Sequence, residues 1–439
     1  MSAPTLPREA QRRHRISLGA AIFLTLPGLF LRVTDVHVSH PVEALIYGLA
    51  IVGAAFLLSW AAEVAQLDLS AGLSIAILAF IAVLPEYAVD LVFAWKGGNA
   101  VEQYGASCRP PGSTDDSACS LALANMTGAN RLLIGIGWSL VVFIAWYQWR
   151  RQGTPRSEVV LARTQSVEVT YLALASAYCL TLPLKRTITL VDAAILIGLF
   201  AAYAVRISRA PATEPHLVGP ASWIATFSVP RRRATVIALF VSAAVVVIAS
   251  AEHFAEALVA TGSTLGVSEF LLVQWVAPLA SEAPELLIAS LYAWRLRTQA
   301  GLGTLVSSKV NQWTLLVGSL PLVFAIAAGS FTGLPIDARQ REELLLTAAQ
   351  SVFAVAVVSS LSVSVKEALA LFSLFWAQFL LGAFVPESAH GTELVVVSVV
   401  YLVLAAGVFI RRRRELGQLL KDGLRTPYSD LVDAPEPSG

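Results

Sequence analysis

The chain has 439 residues, of which 56% are hydrophobic and only 14% are charged. A soluble protein of this length needs more charge to cover its surface, so the composition excludes a soluble globular domain and is typical of a membrane protein with many spans. The formal net charge of +1 gives no reason to expect a nucleic-acid partner.

Twelve apolar runs follow one another along the chain, and most reach the ~20 residues that a helix needs to cross a hydrocarbon core. They cover residues 16–31, 42–62, 70–95, 120–147, 166–182, 187–207, 234–260, 268–294, 304–329, 344–361, 367–384 and 393–410. The runs are continuous rather than alternating, which favours helices over a β-barrel. We therefore predict an all-α polytopic membrane protein with about 12 transmembrane helices.

The first run is the one with an alternative interpretation. It is short, contains Pro27, and follows four arginines between residues 8 and 15, so it also resembles the core of a signal peptide. No clear small-residue cleavage site follows it, which favours a retained span.

Positive charge is unevenly distributed between the two sets of loops that alternate along these spans. With the N-terminus placed in the cytoplasm, 22 of the 31 lysines and arginines lie on the inner side, seven on the outer side and two within spans. This bias predicts that both termini are cytoplasmic. We expect an integral protein of a prokaryotic plasma membrane, for which a monomer is one possible state.

The long outer loop, residues 97–119, contains Cys108 and Cys119. A disulfide is permitted outside a cell, but sequence does not give the geometry that a disulfide needs, so paired and free states both remain open. Cys179 lies in an apolar run, and we expect it only to pack in the interior.

A stretch of the third run recurs in the eighth run. Residues 85–96 read PEYAVDLVFAWK and residues 284–295 read PELLIASLYAWR, so Pro-Glu, Ala-Trp and the closing base match in register. Each copy precedes a second helix rich in small polar residues. Successive spans cross the membrane in alternating directions. The third and eighth spans are an odd number of spans apart, so the two copies cross in opposite directions. Inverted repeats of this kind place a substrate site near the midplane, where the two halves meet.

The repeats and the charged segments predict the domain organisation. Its parts are a cytoplasmic N-terminus (1–15), a first membrane half (16–207) with repeat 1 at about 70–140, a cytoplasmic linker (208–233), a second membrane half (234–410) with repeat 2 at about 268–325, and a cytoplasmic tail (411–439).

Glu86 and Glu285 lie well inside their predicted spans. A carboxylate there is costly unless it faces a cavity, an ion or a proton. The proline before each glutamate has no N–H, so the carbonyls of Ile81 and Ala280 lose their helical partners. Free carbonyl oxygen beside a carboxylate suits a hard cation, and we predict that both glutamates bind Ca²⁺ or Na⁺.

Further candidates flank these two glutamates. Asp90 lies one turn after Glu86, and Glu282 lies nearly one turn before Glu285. Asn125 and Thr304, on the second helix of each repeat, offer neutral oxygens. The structural alternative for each is a hydrogen bond between helices.

Together these residues resemble the calcium/cation antiporter superfamily, which includes sodium/calcium and cation/proton exchangers. That family carries two inverted repeats of the form GTSxPE, each followed on the next helix by GNxxGSN. The first repeat here reads AVLPE at 82–86 and ANMTGAN at 124–130; the second reads SEAPE at 281–285 and GTLVSSK at 303–309.

The resemblance implies a fold of two inverted repeats and alternating-access antiport, with Glu86 and Glu285 as the central acids. It also implies that Asn125 is an ion ligand and that Ser281 matches the family's threonine. Val83 stands where the family has a ligand serine, Glu282 stands at the equivalent serine of the second repeat, and Thr304 replaces a polar Asn or Asp.

Lys309 is the sharpest departure from the family pattern, because it replaces the last asparagine of the second motif, whose counterpart in the first repeat is Asn130. An ammonium inside a span must find an acid or lose its proton, and Glu282 or Glu285 is the expected partner. The alternatives for Lys309 are to fill an ion site permanently, to trade its proton as the cation arrives, or to form a structural pair. Arg131, next to Asn130, has the same alternatives.

The loss of hydroxyl ligands and the gain of ionisable groups predict exchange of a small cation, Ca²⁺ or Na⁺, against H⁺. Sodium/calcium exchange is the alternative within the family. An intramembrane enzyme built on paired acids is an alternative of another class, but no nucleophile or phosphate motif accompanies the acids. A channel is a third alternative, and inverted repeats with midplane acids favour a carrier. We expect no cofactor, and partners limited to small inorganic cations and the lipid bilayer.

Overall fold

A computed structural model describes residues 7–34, 36, 38–68, 84–112, 116–210, 217–266, 268–386 and 389–432. The helices up to residue 207 are α1 (Arg8–Thr34), α2 (His40–Ala65), α3 (Leu84–Tyr104), α4 (Ala118–Leu132), α5 (Ser139–Arg151), α6 (Ser166–Cys179) and α7 (Leu190–Ile207). Those that follow are α8 (Pro220–Ile224), α9 (Val229–Leu265), α10 (Glu269–Trp294), α11 (Thr298–Asn311), α12 (Val317–Ala327), α13 (Ala338–Val358), α14 (Val365–Phe384), α15 (His390–Arg411), α16 (Arg413–Leu424) and α17 (Tyr428–Val432).

Short strands join some of the loops between helices. Strand β1 (Glu158–Val160) pairs antiparallel with β4 (Ser362–Ser364), and β2 (Thr187–Ile188) pairs antiparallel with β3 (Leu334–Pro335). The structure is otherwise built from helices over its described residues, as the continuous apolar runs predicted.

Ten helical segments of the described residues are long and apolar enough to cross a membrane. Of the twelve predicted spans, the third begins within residues 69–83, outside the described part of the chain. The tenth, predicted at 344–361, forms α13, which is not among the ten. Three consecutive charged residues, Arg341, Glu342 and Glu343, lie near the N-terminus of this helix.

The second helix of each repeat has the same backbone irregularity. A π-helical segment, Leu133–Trp138, follows α4, and a second, Gln312–Leu316, follows α11. These segments begin three residues after Asn130 and Lys309 respectively, so the two repeats share a local distortion of the helix at matching positions.

One compact unit comprises residues 1–93, 114–116 and 207–284. Its centre is α2, which packs against α1 and α9. Small residues permit the close approach of these helices: a Cβ added at Gly53 of α2 would lie 2.6 Å from the carbonyl oxygen of Ala21 on α1. At the end of α2, Asp68 accepts hydrogen bonds from the guanidinium groups of Arg232 and Arg233.

A second compact unit comprises residues 94–113, 117–206 and 285–439. Helix α13 packs against α15, α6 and α4, and α14 packs against α5 and the segment Leu133–Trp138. Helix α16, near the C-terminus, packs on α6, and its Asp422 carboxylate accepts hydrogen bonds from the Arg163 guanidinium at 2.8 and 3.1 Å.

These two units cut across the two membrane halves that the repeat predicts. Each unit takes helices from both halves of the chain, because contacts between helices distant in sequence define it. The two predicted membrane halves follow the order of the chain and its repeats. Their assignment as domains stays a prediction.

The two cysteines of the predicted outer loop form a disulfide. Cys108 and Cys119 are bonded, with their Cα atoms 5.7 Å apart, so the paired state is the one that the structure shows. Cys179 is free and buried, as expected for a packing residue.

Candidate functional site

The acids of the first repeat lie at the start of α3. Glu86 is 2% exposed and Asp90 is fully buried, and their four-residue spacing places both on one face of the helix. Ile81 and Val83, which precede Glu86 in the first motif, lie outside the described residues.

The acids of the second repeat lie in the middle of α10, which runs through Pro278 and Pro284 without ending. Glu282 is buried. The Oε2 atom of Glu285 is also buried, and it accepts no hydrogen bond from the residues that the structure describes. A buried carboxylate oxygen without a protein donor is suited to a bound cation or proton.

Ser281 precedes Glu285 by four residues and is nearly fully buried. Its hydroxyl donates to the carbonyl of Ala277 at 3.3 Å. The hydroxyl oxygen keeps acceptor capacity, since a serine Oγ can donate one hydrogen bond and also offer lone pairs. Its role as an ion ligand stays a prediction.

The second helices of the repeats present their matching polar residues differently. Asn125 on α4 is fully buried. Thr304 on α11 is exposed, and its hydroxyl donates to the carbonyl of Ala300 at 2.9 Å. Burial therefore favours Asn125 over Thr304 as an ion ligand, and both roles remain predictions.

Lys309 and Asn130 occupy matching positions in the two repeats and contact each other directly. The Lys309 ammonium donates to the Asn130 carbonyl oxygen at 2.8 Å and to the Asn130 side-chain oxygen Oδ1 at 2.6 Å. Both residues are fully buried. These two oxygens are contacts that the sequence did not predict, and the predicted pairing of Lys309 with Glu282 or Glu285 stays a prediction. The family motif would place asparagine at both positions, so the motif contained no signal for the contact between Lys309 and Asn130.

Arg131 forms a buried ion pair with a residue that no sequence motif contains. Its Nη2 atom lies 2.8 Å from Oε2 of Glu343 on α13, and the two side chains are 1% and 7% exposed. A structural pair with an acid was one of the predicted alternatives for Arg131. Glu343 directly precedes the tenth apolar run, which was the only sequence signal for it.

No group of three or more His, Cys, Asp or Glu side chains that could hold a metal ion occurs among the described residues. The predicted roles of Ca²⁺ and Na⁺ are those of transported substrates.

Comparison with known proteins identifies the family. Residues 42–208 and 235–384 match the family model described as sodium/calcium exchanger protein. The chain belongs to the sodium/calcium exchanger family. These ranges contain both Pro-Glu motifs and both second helices of the repeats, so the resemblance that the motifs carried is confirmed.

Solved structures agree with this assignment. A crystal structure of the H⁺/Ca²⁺ exchanger CAX is 40% identical, with a TM-score of 0.84, and the match covers 96% of this chain and 99% of that chain. The structure of native YfkE is 14% identical, with a TM-score of 0.58, covering 88% of this chain and 100% of that chain, and supports the fold alone. No curated protein gives a significant match.

The predicted fold class is confirmed by this likeness: the exchanger is an all-α integral membrane protein with two inverted-topology repeats. Its family consists of secondary transporters. The comparisons do not assign roles to individual side chains, so the ion ligands remain proposals.

Proposed function

We propose that the exchanger carries Ca²⁺ against H⁺ by alternating access. The observation that carries this proposal is that this chain, 40% identical to a solved H⁺/Ca²⁺ exchanger, has in each repeat a glutamate after a proline with buried carboxylate oxygen. Inverted repeats with intramembrane acids are the architecture of carriers that expose one site alternately to each side.

Glu86 and Glu285 are the proposed central acids. Ca²⁺ prefers oxygen ligands and binds carboxylates in their ionised form, so its binding releases any proton that the carboxylates hold. Carboxylates that must choose between protons and Ca²⁺ couple the movement of one ion to the countermovement of the other. Asp90, Glu282, Asn125, Ser281 and Thr304 are proposed as additional oxygen ligands.

The exchanger is proposed to act as a secondary transporter without chemical conversion of a substrate, and with both termini in the cytoplasm. The family match supports exchange of ions, and it gives no such support to an intramembrane enzyme or to a channel.

Purified exchanger in proteoliposomes tests the proposal. Vesicles with an acidic interior, diluted into neutral buffer with ⁴⁵Ca²⁺ and without Na⁺, should accumulate Ca²⁺ until a protonophore collapses the pH gradient. Glu86→Gln and Glu285→Gln should each abolish this uptake, because each removes an ionisable ligand. The matched control is Glu415→Gln on the exposed face of α16, which should transport at the wild-type rate.

Sodium/calcium exchange is the second candidate, because the family model is named for it. It predicts that an outward Na⁺ gradient drives ⁴⁵Ca²⁺ uptake and that a pH gradient alone does not. That result would replace the proton version of the proposal and leave the antiporter architecture intact.

A further inference from the structure

The buried ammonium of Lys309 sits in a cage of electron-rich groups. It contacts the carbonyl oxygen and Oδ1 of Asn130, and it lies 5.1 Å from the centre of the Trp313 ring. Lys309, Asn130 and Trp313 are all fully buried, and all three belong to the same compact unit. Carbonyl oxygens and an aromatic face are groups that bind small cations in proteins.

The orientation of the Asn130 amide is fixed by its own helix. Its Nδ2 atom donates to the carbonyl of Met126 at 2.8 Å. This bond turns Oδ1 toward Lys309, next to the backbone oxygen of the same residue. The two oxygens therefore face the ammonium, and the bond to Met126 within α4 holds Oδ1 in that orientation.

Two residues of the cage occupy matching positions in the two repeats. Asn130 and Lys309 are the last residues of the two second motifs, and each precedes its π-helical segment by three residues. Lys309, whose side chain carries the ammonium, thus occupies the position in the second repeat that Asn130 occupies in the first.

We propose that Asn130 and Trp313 form a monovalent-cation site that the chain fills with its own Lys309 ammonium. An ammonium group and K⁺ are similar in size, so K⁺ is the free ion that fits the site best once the ammonium is removed. Na⁺ should bind there more weakly. The site does not depend on the proposed function, but its consequence does: a permanently filled site makes Ca²⁺/H⁺ exchange independent of Na⁺ and K⁺.

Thermal unfolding of purified protein in three salts tests the site without requiring transport. Wild type, Lys309→Met and the control Lys366→Met, at an exposed position on α14, are compared in KCl, NaCl and choline chloride at equal ionic strength. Methionine keeps an unbranched side chain as far as Cε and removes the ammonium group. Wild type and Lys366→Met should have the same Tm in all three salts.

Lys309→Met should have a Tm several degrees below that of wild type in choline chloride. Its Tm should rise with KCl concentration, steadily with the logarithm of that concentration once it exceeds the Kd, because a ligand that binds only the native state stabilises it by RT ln(1 + [L]/Kd). Adding Asn130→Leu to Lys309→Met should remove the effect of K⁺, since it deletes the side-chain oxygen of the cage.

Two results would overturn the proposal. One is a folded Lys309→Met protein with the same Tm in all three salts, which would make Lys309 a packing residue. The other is a Lys309→Met protein that cannot be recovered in any salt while Lys309→Arg can, because no free cation would then replace the tethered one. Recovery of Lys309→Met only from membranes extracted in KCl would support the site.

Transport is measured separately, so that the two proposals fail in distinguishable ways. Wild-type uptake of ⁴⁵Ca²⁺ should have the same rate in choline chloride and in KCl. A K⁺ requirement of the wild type would overturn the filled site. Absence of pH-driven uptake in every salt, with the K⁺-dependent Tm of Lys309→Met intact, would reject the exchange proposal alone.

Discussion

Arg131 of α4 and Glu343 of α13 form an ion pair of 2.8 Å in which both side chains are almost completely buried. The pair joins a helix of the first repeat to a helix that lies more than 200 residues further along the chain. Arg131 also donates from Nε to the carbonyl of Thr127 at 3.4 Å, and its own carbonyl accepts from Gln350 of α13. The pair thus fixes α4, which carries Asn125 and Asn130, against α13.

Glu343→Gln should destabilise the exchanger by about 3–5 kcal/mol, because it removes the carboxylate that faces the buried Arg131 guanidinium. The measurement is the free energy of unfolding in detergent, followed by tryptophan fluorescence. The double variant Arg131→Met/Glu343→Leu should recover most of the loss, since a buried pair replaced by apolar groups leaves no unpaired charge. A double variant as unstable as the sum of the two single variants would contradict this account.

Gly135→Ala should destabilise the exchanger by about 1–3 kcal/mol. A Cβ at this position in the π-helical segment would overlap the side chain of Phe375 on α14, so the two helices would have to separate. The control is Gly198→Ala on α7, where an added Cβ meets no other atom within 4 Å and should cause no loss. Equal Tm values for the two variants would show that the contact between α14 and the π-helical segment is looser than described.

The contribution of Asp422 to stability should depend on pH. Burial raises the pKa of this carboxyl, but hydrogen bonds from Arg163, Thr426 and Gln418 outweigh burial and hold the pKa below its ordinary value. A lowered pKa in the folded state stabilises that state above the unfolded pKa of about 3.9, and the stabilisation is lost as pH falls through the folded value.

Tm measured from pH 7 down to pH 3 checks this sign. Asp422→Asn should lower Tm at pH 7, and the difference from wild type should shrink below about pH 4. Glu415→Gln, at an exposed position of the same helix, is the control and should follow the wild-type curve. A difference between Asp422→Asn and wild type that grows on acidification would contradict the argument.

Cysteine labelling tests the predicted orientation in the membrane. The native cysteines are either disulfide-bonded or buried, so they should not react with a membrane-impermeant maleimide in intact cells. Gln103→Cys, at an exposed position in the predicted outer loop, should be labelled in intact cells, and Gly417→Cys on α16 only after lysis. The reverse pattern would place the termini outside.

Helix positions were predictable from the sequence because hydropathy is a local property. The seventh run, predicted at 234–260, lies inside α9 at Val229–Leu265, and the eighth, predicted at 268–294, agrees with α10 to within one residue at its start. A helix can extend beyond its apolar run, as the polar first turns of α9 do, and hydropathy does not detect such ends.

Side-chain partners were not predictable because they depend on contacts between distant segments. The motif identified Lys309 as unusual, but Asn130, which its ammonium contacts, lies 179 residues away on another helix. Likewise, Glu343 stood at the edge of an apolar run with no sign that it would pair with Arg131. The two compact units also combine helices from both halves, which no local pattern records.

The most direct test of the central claim is equilibrium binding of ⁴⁵Ca²⁺ to purified wild type and Glu285→Gln between pH 5 and pH 9. The account predicts that wild-type affinity for Ca²⁺ rises with pH, because protons and Ca²⁺ compete for the same carboxylates, and that Glu285→Gln loses most of the affinity at every pH. Wild-type binding that does not change with pH, or full binding by Glu285→Gln, would contradict it.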